Sequence, residues 1–200
     1  MVRLRVATVI AGLLLATVFS AAGFADSIPV LSIGPASSTV SIGSNVTIDV
    51  NISNVTDLYG FQFDLSFAPG TLSAISVTEG TFLSLGGPTF FLDGSIDNTT
   101  GIISFAADSL LGPGPGVNGN GTLAILTLTG LTEGLSSIEL SNVILLDSNL
   151  NPIEASLLNG SVTVAPGTVA TPEPSTLALL FSALVCVTVG KMVPGAGKSS

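Results

Sequence analysis

The 200-residue sequence has almost no basic side chains and no histidine. Its four basic residues are Arg3 and Arg5 near the start and Lys191 and Lys198 near the end, and all 13 acidic residues lie between these pairs. The central region therefore has no cation with which to neutralise a phosphate or an anionic lipid. It also has no imidazole to act as a general base and no basic group to stabilise an oxyanion.

Cysteine and the larger aromatic residues are scarce as well. The only cysteine is Cys186, so the chain can form no internal disulfide and no cysteine-rich zinc site. Tryptophan is absent and Tyr59 is the only tyrosine, so an aromatic platform for sugar rings would depend on Tyr59 and on Phe90 or Phe91. Neighbouring strand residues point to opposite faces, and one of the two phenylalanines is therefore expected to be exposed. The sequence predicts no catalytic residue, no cofactor and no metal ligand.

What is present is a strong two-residue alternation of apolar and polar side chains. The hydrophobic content is 46%, enough to build the core of one domain of ordinary size. Strict alternation at 45–53 and 60–67 predicts half-buried strands. In the second segment phenylalanine and leucine occupy one face. The opposite face, which is predicted to point outward, consists of Gly60, Gln62, Asp64 and Ser66.

Seven further segments are rich in residues that favour β-strands, and turns that contain Gly, Pro or Asn separate them. About nine short strands without a sustained helical period predict an all-β protein, with two antiparallel sheets in a jelly-roll sandwich. The Pro- and Thr-containing segment 166–175 is typical of a linker. The seven segments are 28–33, 72–77, 89–92, 102–107, 122–129, 137–146 and 161–164.

Two acidic motifs invite a sharper interpretation. The segment from Asp147 to Asn151 begins like a calcium loop, but Pro152 and Leu158 stand where an EF-hand needs glycine and glutamate. A turn in which Asp and Asn bond their own backbone is the preferred interpretation. Asp93 and Asp97 could form the carboxylate pair of a glycosidase. Acidic residues are the only charged side chains of the central region, however, so some of them are expected to lie close together by chance.

The N-terminus has the pattern of a secretory signal peptide, predicted at 1–25. A short basic region precedes an apolar run at 6–22, and Gly23 and Ala25 supply the small residues of a cleavage site. Cleavage between Ala25 and Asp26 would export the protein. The alternative is a membrane anchor that stays attached.

The C-terminal segment 172–195 resembles a PEP-CTERM sorting signal. Pro172, Glu173 and Pro174 precede an apolar run at 177–189, which is followed by Lys191. As a helix this run would be about 20 Å long against a hydrocarbon core of about 30 Å, so a transmembrane helix would be marginal. The resemblance implies recognition by an exosortase-type membrane protease and delivery to the cell surface or an extracellular matrix. An ordinary tail anchor is the alternative.

The central region, 26–165, resembles a cohesin domain. The resemblance spans about 130 residues in order and rests on one set of segments. They are Ser41-Ile42-Gly43-Ser44-Asn45-Val46, Leu58-Tyr59-Gly60-Phe61-Gln62-Phe63-Asp64-Leu65, Phe67-Ala68-Pro69 with Leu72, Val77-Thr78-Glu79-Gly80, Phe82-Leu83, Gly101-Ile102-Ile103-Ser104-Phe105-Ala106, Gly121-Thr122-Leu123-Ala124, Asn142-Val143, Leu146-Asp147 and Gly160-Ser161-Val162-Thr163-Val164.

The cohesin resemblance implies a non-catalytic jelly roll, related to carbohydrate-binding modules, that binds a dockerin-like protein through one sheet face. The expected contact surface is the outward face of 60–66 together with Ser104 and Ala106 of a neighbouring strand. The chain departs from the common pattern at Gly60, Gln62 and Ala68, where dockerin-binding members often carry Asn or Asp. A module that binds exopolysaccharide is the alternative function, and a structural matrix protein without a defined ligand is a third.

Overall fold

Residues 28–167 are described by a computed structural model, in which two β-sheets pack face to face. This confirms the predicted all-β sandwich. Alternating residues give each strand one apolar face, and pairing two such faces removes both from water. The strands are β1 Val30–Gly34, β2 Ser37–Ser41, β3 Asn45–Leu58, β4 Gly60–Ser66, β5 Leu72–Glu79, β6 Ser95–Asp97, β7 Ile102–Ser109, β8 Val117–Gly130, β9 Gly134–Leu146, β10 Ser156–Leu158 and β11 Gly160–Ala165.

The two sheets differ in size and order. The five-stranded sheet has the order β10-β1-β3-β8-β5, and the six-stranded sheet has the order β2-β11-β9-β4-β7-β6. Neighbours run antiparallel, apart from the parallel pairs β1–β10 and β2–β11. Strand β4, which carries most of the predicted contact surface, therefore lies inside the six-stranded sheet between β9 and β7.

The alternation seen in the sequence places the core correctly. In β3 the side chains of Ile48, Val50 and Ile52 are buried, and in β4 those of Phe63 and Leu65 are fully buried. Because a strand turns successive side chains to opposite faces, Gln62, Asp64 and Ser66 face outward and stay half-exposed.

The prediction of nine strands was wrong, because eleven are present in residues 28–167. The missed strands β2, β6 and β10 have only three to five residues and no clear alternation, so periodicity could not reveal them. The predicted strand at 89–92 consists of two separate bridges to β7, Thr89 with Leu110 and Leu92 with Ala107.

The predicted signal peptide at 1–25, its cleavage site and the sorting signal at 172–195 lie outside the described residues. Within 28–167, no helix combines the length and the apolar character needed to cross a membrane.

Candidate functional site

The predicted contact surface lies on the outer face of the six-stranded sheet, and one of its six residues does not belong there. Ala106 is fully buried in the core, so its predicted outward position was wrong. Gly60 is buried at the start of β4, where an added Cβ would lie 3.3 Å from the Asp108 carbonyl oxygen. It permits close packing of β4 against β7, and its backbone lines the pocket described below. Ser104 is half-exposed next to the bulge described below.

A β-bulge in β7 explains the error at Ala106. Phe63 and Leu65 of β4 are two residues apart, but their partners Ala106 and Ile103 in β7 are three apart. The extra residue, Phe105, has a left-handed backbone with φ of 59° and its side chain is 53% exposed. The insertion reverses the inward and outward alternation of β7 from Phe105 onward, which turns Ala106 into the core.

A second bulge lies directly across β4, in β9. Gln62 and Asp64 pair with Ile144 and Ser141, so β9 also uses an additional residue, and Asn142 has φ of 48°. This register sets Ile144 beside Gln62 on the outer face. The two bulges thus interrupt the regular pairing on both sides of β4, beside Phe63 and Asp64.

Asp64 joins the two bulges. Its Oδ1 accepts a hydrogen bond of 2.7 Å from the Phe105 N–H, and its Oδ2 accepts one of 2.6 Å from Asn142 Nδ2. Bonds to an ionised carboxylate are stronger than neutral ones. Asp64 was predicted as a contact residue, but both its carboxylate oxygens are occupied within the sheet, which makes it a positioning residue.

The bulges help to build an apolar pocket of about 290 Å³ on the outer face. Phe105 and Ile144 form part of its wall with Phe90 and Leu92, and Gln62 lies at its floor. Phe90 is 58% exposed, whereas Phe91 packs against the core, as the two-residue period predicted. The Phe90 N–H donates to the Ser109 carbonyl at 2.8 Å, which holds this wall against β7.

The other end of the face is polar. Ser66 pairs with Glu139 of β9, and Ser137 and Ser141 are exposed on the same strand. The outer face therefore changes from aromatic and aliphatic side chains near Gln62 to mainly hydroxyl and carboxylate groups near Ser66, where exposed Ile102 is the apolar exception. Such a surface can take up an apolar side chain at one end and exchange hydrogen bonds at the other.

One buried acidic residue behind the pocket was missed. Asp108 of β7 is only 3% exposed, and neither of its carboxylate oxygens has a hydrogen-bond partner among the described residues. Burial, together with the negative charge of Glu79, raises the pKa of Asp108 to about 7. Regular alternation from Ile103 would point Asp108 outward, so the bulge that turns it inward also hid it from sequence analysis.

In each of the two acidic motifs an aspartate accepts hydrogen bonds within its own turn. Asp147 Oδ1 accepts the backbone N–H groups of Asn149 and Asn151 at 2.8 Å, as the turn interpretation predicted. Hydrogen bonds from the Asn151 side chain and backbone lower the pKa of Asp147. Asp97 likewise accepts bonds from Thr100 and Thr99 of its own turn, and these lower its pKa. In the described part of the chain, no cluster of three potential metal ligands occurs.

Solved structures of similar fold include several cohesins. A non-cellulosomal cohesin from Archaeoglobus fulgidus is 14% identical, with a TM-score of 0.55 over 76% of this chain and 98% of that one. The seventh ScaB type I cohesin from Pseudobacteroides cellulosolvens is 18% identical, with a TM-score of 0.59 over 73% and 97%. The sixth scaffoldin B cohesin from Acetivibrio cellulolyticus, solved with a Cel5 dockerin mutant, is 19% identical, with a TM-score of 0.56 over 70% and 100%.

The curated proteins contain no sequence that matches this chain. The family model of the cohesin domain, in contrast, matches residues 30–164, which is most of the chain and nearly all of the described part. This extent agrees with the resemblance carried by the ordered sequence segments. The chain therefore belongs to the cohesin family, whose domains are non-catalytic modules, and it is not an enzyme.

Proposed function

We propose that the chain binds a dockerin-type protein through the outer face of the six-stranded sheet, with the apolar pocket as its anchor point. The observation that carries this proposal is the exposure of Phe90 and Phe105 around one concavity on the face of a cohesin sandwich. Large aromatic side chains beside a pocket are typical of the residues that dominate binding energy at interfaces. Cohesins of similar fold have been solved in complexes with dockerins.

The charge of the chain constrains the partner. The central region has no basic side chain, and the outer face carries Asp64, Asp97 and Glu139. Hydrogen bonds within the domain occupy the carboxylate oxygens of Asp64 and Asp97, so the partner meets few free charges on this face. A partner segment with an apolar side chain for the pocket and polar side chains toward Ser66 fits this gradient.

The rest of the chain fits an exported, surface-displayed module. In this proposal residues 1–25 are a signal peptide cut between Ala25 and Asp26, residues 26–165 form the binding domain and 166–175 form a linker. The segment 172–195 is a PEP-CTERM signal with a transmembrane helix at 177–189, processed by an exosortase-type protease. Mass spectrometry of the mature protein tests this layout: an N-terminus at Asp26 supports it, and an intact residue 1 contradicts it.

Binding of an exopolysaccharide is the second candidate function, and exposed Phe90 favours it. Tyr59 gives it little support, because its hydroxyl donates to the Gly112 carbonyl at 2.6 Å and its ring packs partly against the core. Sugar-binding platforms need exposed, flat aromatic faces. Both candidates place the module in a setting of polysaccharide processing.

The deciding experiment immobilises the purified chain and exposes it to secreted proteins of the source organism and to its purified exopolysaccharide, with and without calcium. Capture of a protein with a dockerin sequence, only in calcium, supports the proposal, because the calcium requirement belongs to the dockerin. Loss of that capture in Phe90→Ala, but not in Ile75→Ala on the other sheet, assigns the face. Retention of polysaccharide alone would overturn the dockerin proposal.

A further inference from the structure

The carboxyl group of Asp108 lies between the two sheets, where a charge is most costly. Inward positions of β7 after the bulge are Ala106, Asp108 and, just beyond the strand, Leu110, and all three are buried. Both oxygens of Asp108 lack a hydrogen-bond partner among residues 28–167. A buried carboxylate without a partner is strongly unfavourable as a charged group, so the group must be neutral or share a proton.

Glu79 ends β5 in the opposite sheet, on the same face of that strand as the buried Val77. Burial comes first, and the negative charge of Glu79 adds to it, in raising the pKa of Asp108 to about 7. Two carboxyl groups that face each other can be joined by a hydrogen bond only when one of them carries a proton. No lysine, arginine or histidine occurs between residues 6 and 190 to serve as a counter-ion.

The other elements around Asp108 supply no competing charge. Strand β4 carries Asp64, but its carboxylate bonds to Phe105 and Asn142 on the outer face. Strand β8 contains no acidic residue, and neither does the segment 88–92. The charge facing Asp108 therefore comes from Glu79.

The carboxyl pair is connected to the pocket wall. Thr89 Oγ1 donates a hydrogen bond of 2.6 Å to Glu79 Oε1, and the next residue is Phe90. The segment 88–92 is further held to β7 by the N–H groups of Phe90 and Leu92, which donate to the carbonyls of Ser109 and Ala107 at 2.8 Å. The position of the segment 88–92 thus depends on the hydrogen bond to Glu79 in the interior and on the backbone hydrogen bonds to β7.

We propose that Asp108 and Glu79 hold one proton between them and act as a pH-dependent latch beneath the Phe90 wall of the pocket. With the proton present, the pair joins the two sheets and keeps the segment 88–92 on β7. When the proton leaves, two like charges face each other in the interior and the segment opens. Only the consequence for partner binding rests on the proposed function.

The direction in which pH changes stability follows from the protonation of Asp108 in the folded and the unfolded chain. The unfolded Asp108 would titrate near pH 4, about 3 units below the folded group. The folded chain therefore retains a proton that the unfolded chain loses, so stability falls as pH rises from about 4 to 7 and levels off above 7. Asp57, Asp97 and Asp147 have lowered pKa values, and their contribution is lost in a separate window, as pH falls below about 4.

The first test observes the proton on the full-length chain without any partner. Carboxyl carbons of aspartate are labelled with ¹³C and followed by NMR from pH 4 to 9. We expect one aspartate to titrate near pH 7, and we expect this signal to be absent in Asp108→Asn and retained in Asp49→Asn. Titration of every aspartate below about pH 5.5 would overturn the proposal.

The second test observes the latch by hydrogen exchange at the Phe90 and Leu92 amides. After correction for the intrinsic pH dependence of exchange, we expect opening to increase more than about tenfold between pH 5.5 and 8.5. Amides between β9 and β11 should not show this increase. Equal protection of Phe90 at both pH values would overturn the latch.

A second variant keeps both tests usable if Asp108→Asn fails to fold. Glu79→Gln removes the facing charge, so Asp108 should titrate at lower pH. Opening of the segment at the Phe90 amide should then no longer depend on pH above pH 6. An unchanged titration in Glu79→Gln would contradict the pairing. Since no partner is present in these measurements, failure of dockerin binding would leave their outcome unaffected.

Discussion

Strands β3 and β7 both contain residues with a left-handed backbone, but they place different side chains there. In β3 the positions are occupied by Asn54 and Asp57, with φ of 57° and 59°. In β7 the position is occupied by Phe105, with φ of 59°. Asparagine and aspartate adopt this conformation at lower cost than other side chains, whereas a bulky phenylalanine does so only when its surroundings enforce it.

The surroundings also differ between these bulges. The N–H groups of Asn54 and Asp57 donate to the side-chain oxygens of Asn120 and Asn118 in β8, so polar groups satisfy each other within the five-stranded sheet. The Phe105 N–H donates to Asp64, and its ring is left on the surface. In the proposed function, this strained position presents the aromatic ring of Phe105 to the partner.

The largest expected effect comes from Asp64→Ala, which removes the acceptor for both bulges. We expect the free energy of unfolding to fall by about 2–3 kcal/mol, because the Phe105 N–H loses a charge-assisted bond. Chemical denaturation measures the change. Thr129→Val, which deletes one exposed bond to Asn45 in the other sheet, should cost less than about 0.5 kcal/mol. Equal losses in both variants would contradict the role assigned to Asp64.

Phe90→Ala should affect binding far more than folding. The side chain is 58% exposed, so its removal should change stability by less than about 1 kcal/mol. The affinity for a captured dockerin-type partner should fall about 10- to 100-fold, as measured by calorimetry. Ile75→Ala, at a similarly exposed position in β5, should leave affinity unchanged. A loss of affinity in the Ile75 variant would place the interface on the other sheet.

Exchanging side chains between the bulges of β3 and β7 tests whether Phe105 is kept at its left-handed position for binding or for stability. Phe105→Asn should leave stability unchanged or raise it by up to about 1 kcal/mol, while weakening partner binding. Asn54→Phe should destabilise the chain by about 1–2 kcal/mol, because it introduces a bulky residue into a left-handed position. Thermal unfolding compares both variants with the parent. A destabilised Phe105→Asn variant would show that the phenylalanine stabilises the fold.

The smallest effect is expected from salt. A contact surface with few free charges should give a dissociation constant that changes less than about threefold between 0.1 and 0.5 M sodium chloride. A tenfold weakening would indicate that ion pairs dominate and that the apolar pocket is secondary.

The sandwich and its core could be predicted because alternation is a local property of the sequence. Three buried positions in β4 and three in β3 were identified from side-chain type alone. The outward face was predicted only in part, because a bulge depends on pairing with neighbouring strands. Nothing in Ile103-Ser104-Phe105-Ala106 specifies that Phe105 is the inserted residue, so Ala106 was placed on the wrong side.

The pocket and the buried acid pair were beyond sequence analysis for a related reason. Phe90, Phe105 and Ile144 come from three separate segments, and only the sheet order and the two bulges bring them together. Glu79 and Asp108 are 29 residues apart and meet across the core. Without the bulge in β7, alternation would point Asp108 outward, so neither its burial nor its neighbour could be predicted from the sequence.

An NMR titration of the ¹⁵N-labelled chain with the captured partner shows directly which sheet the partner binds. We expect the largest shift changes at the amides of Gln62, Phe90, Phe105 and Ile144, on the outer face of the six-stranded sheet. Changes concentrated at Thr47, Thr127 and Ile75 of the five-stranded sheet would contradict the account.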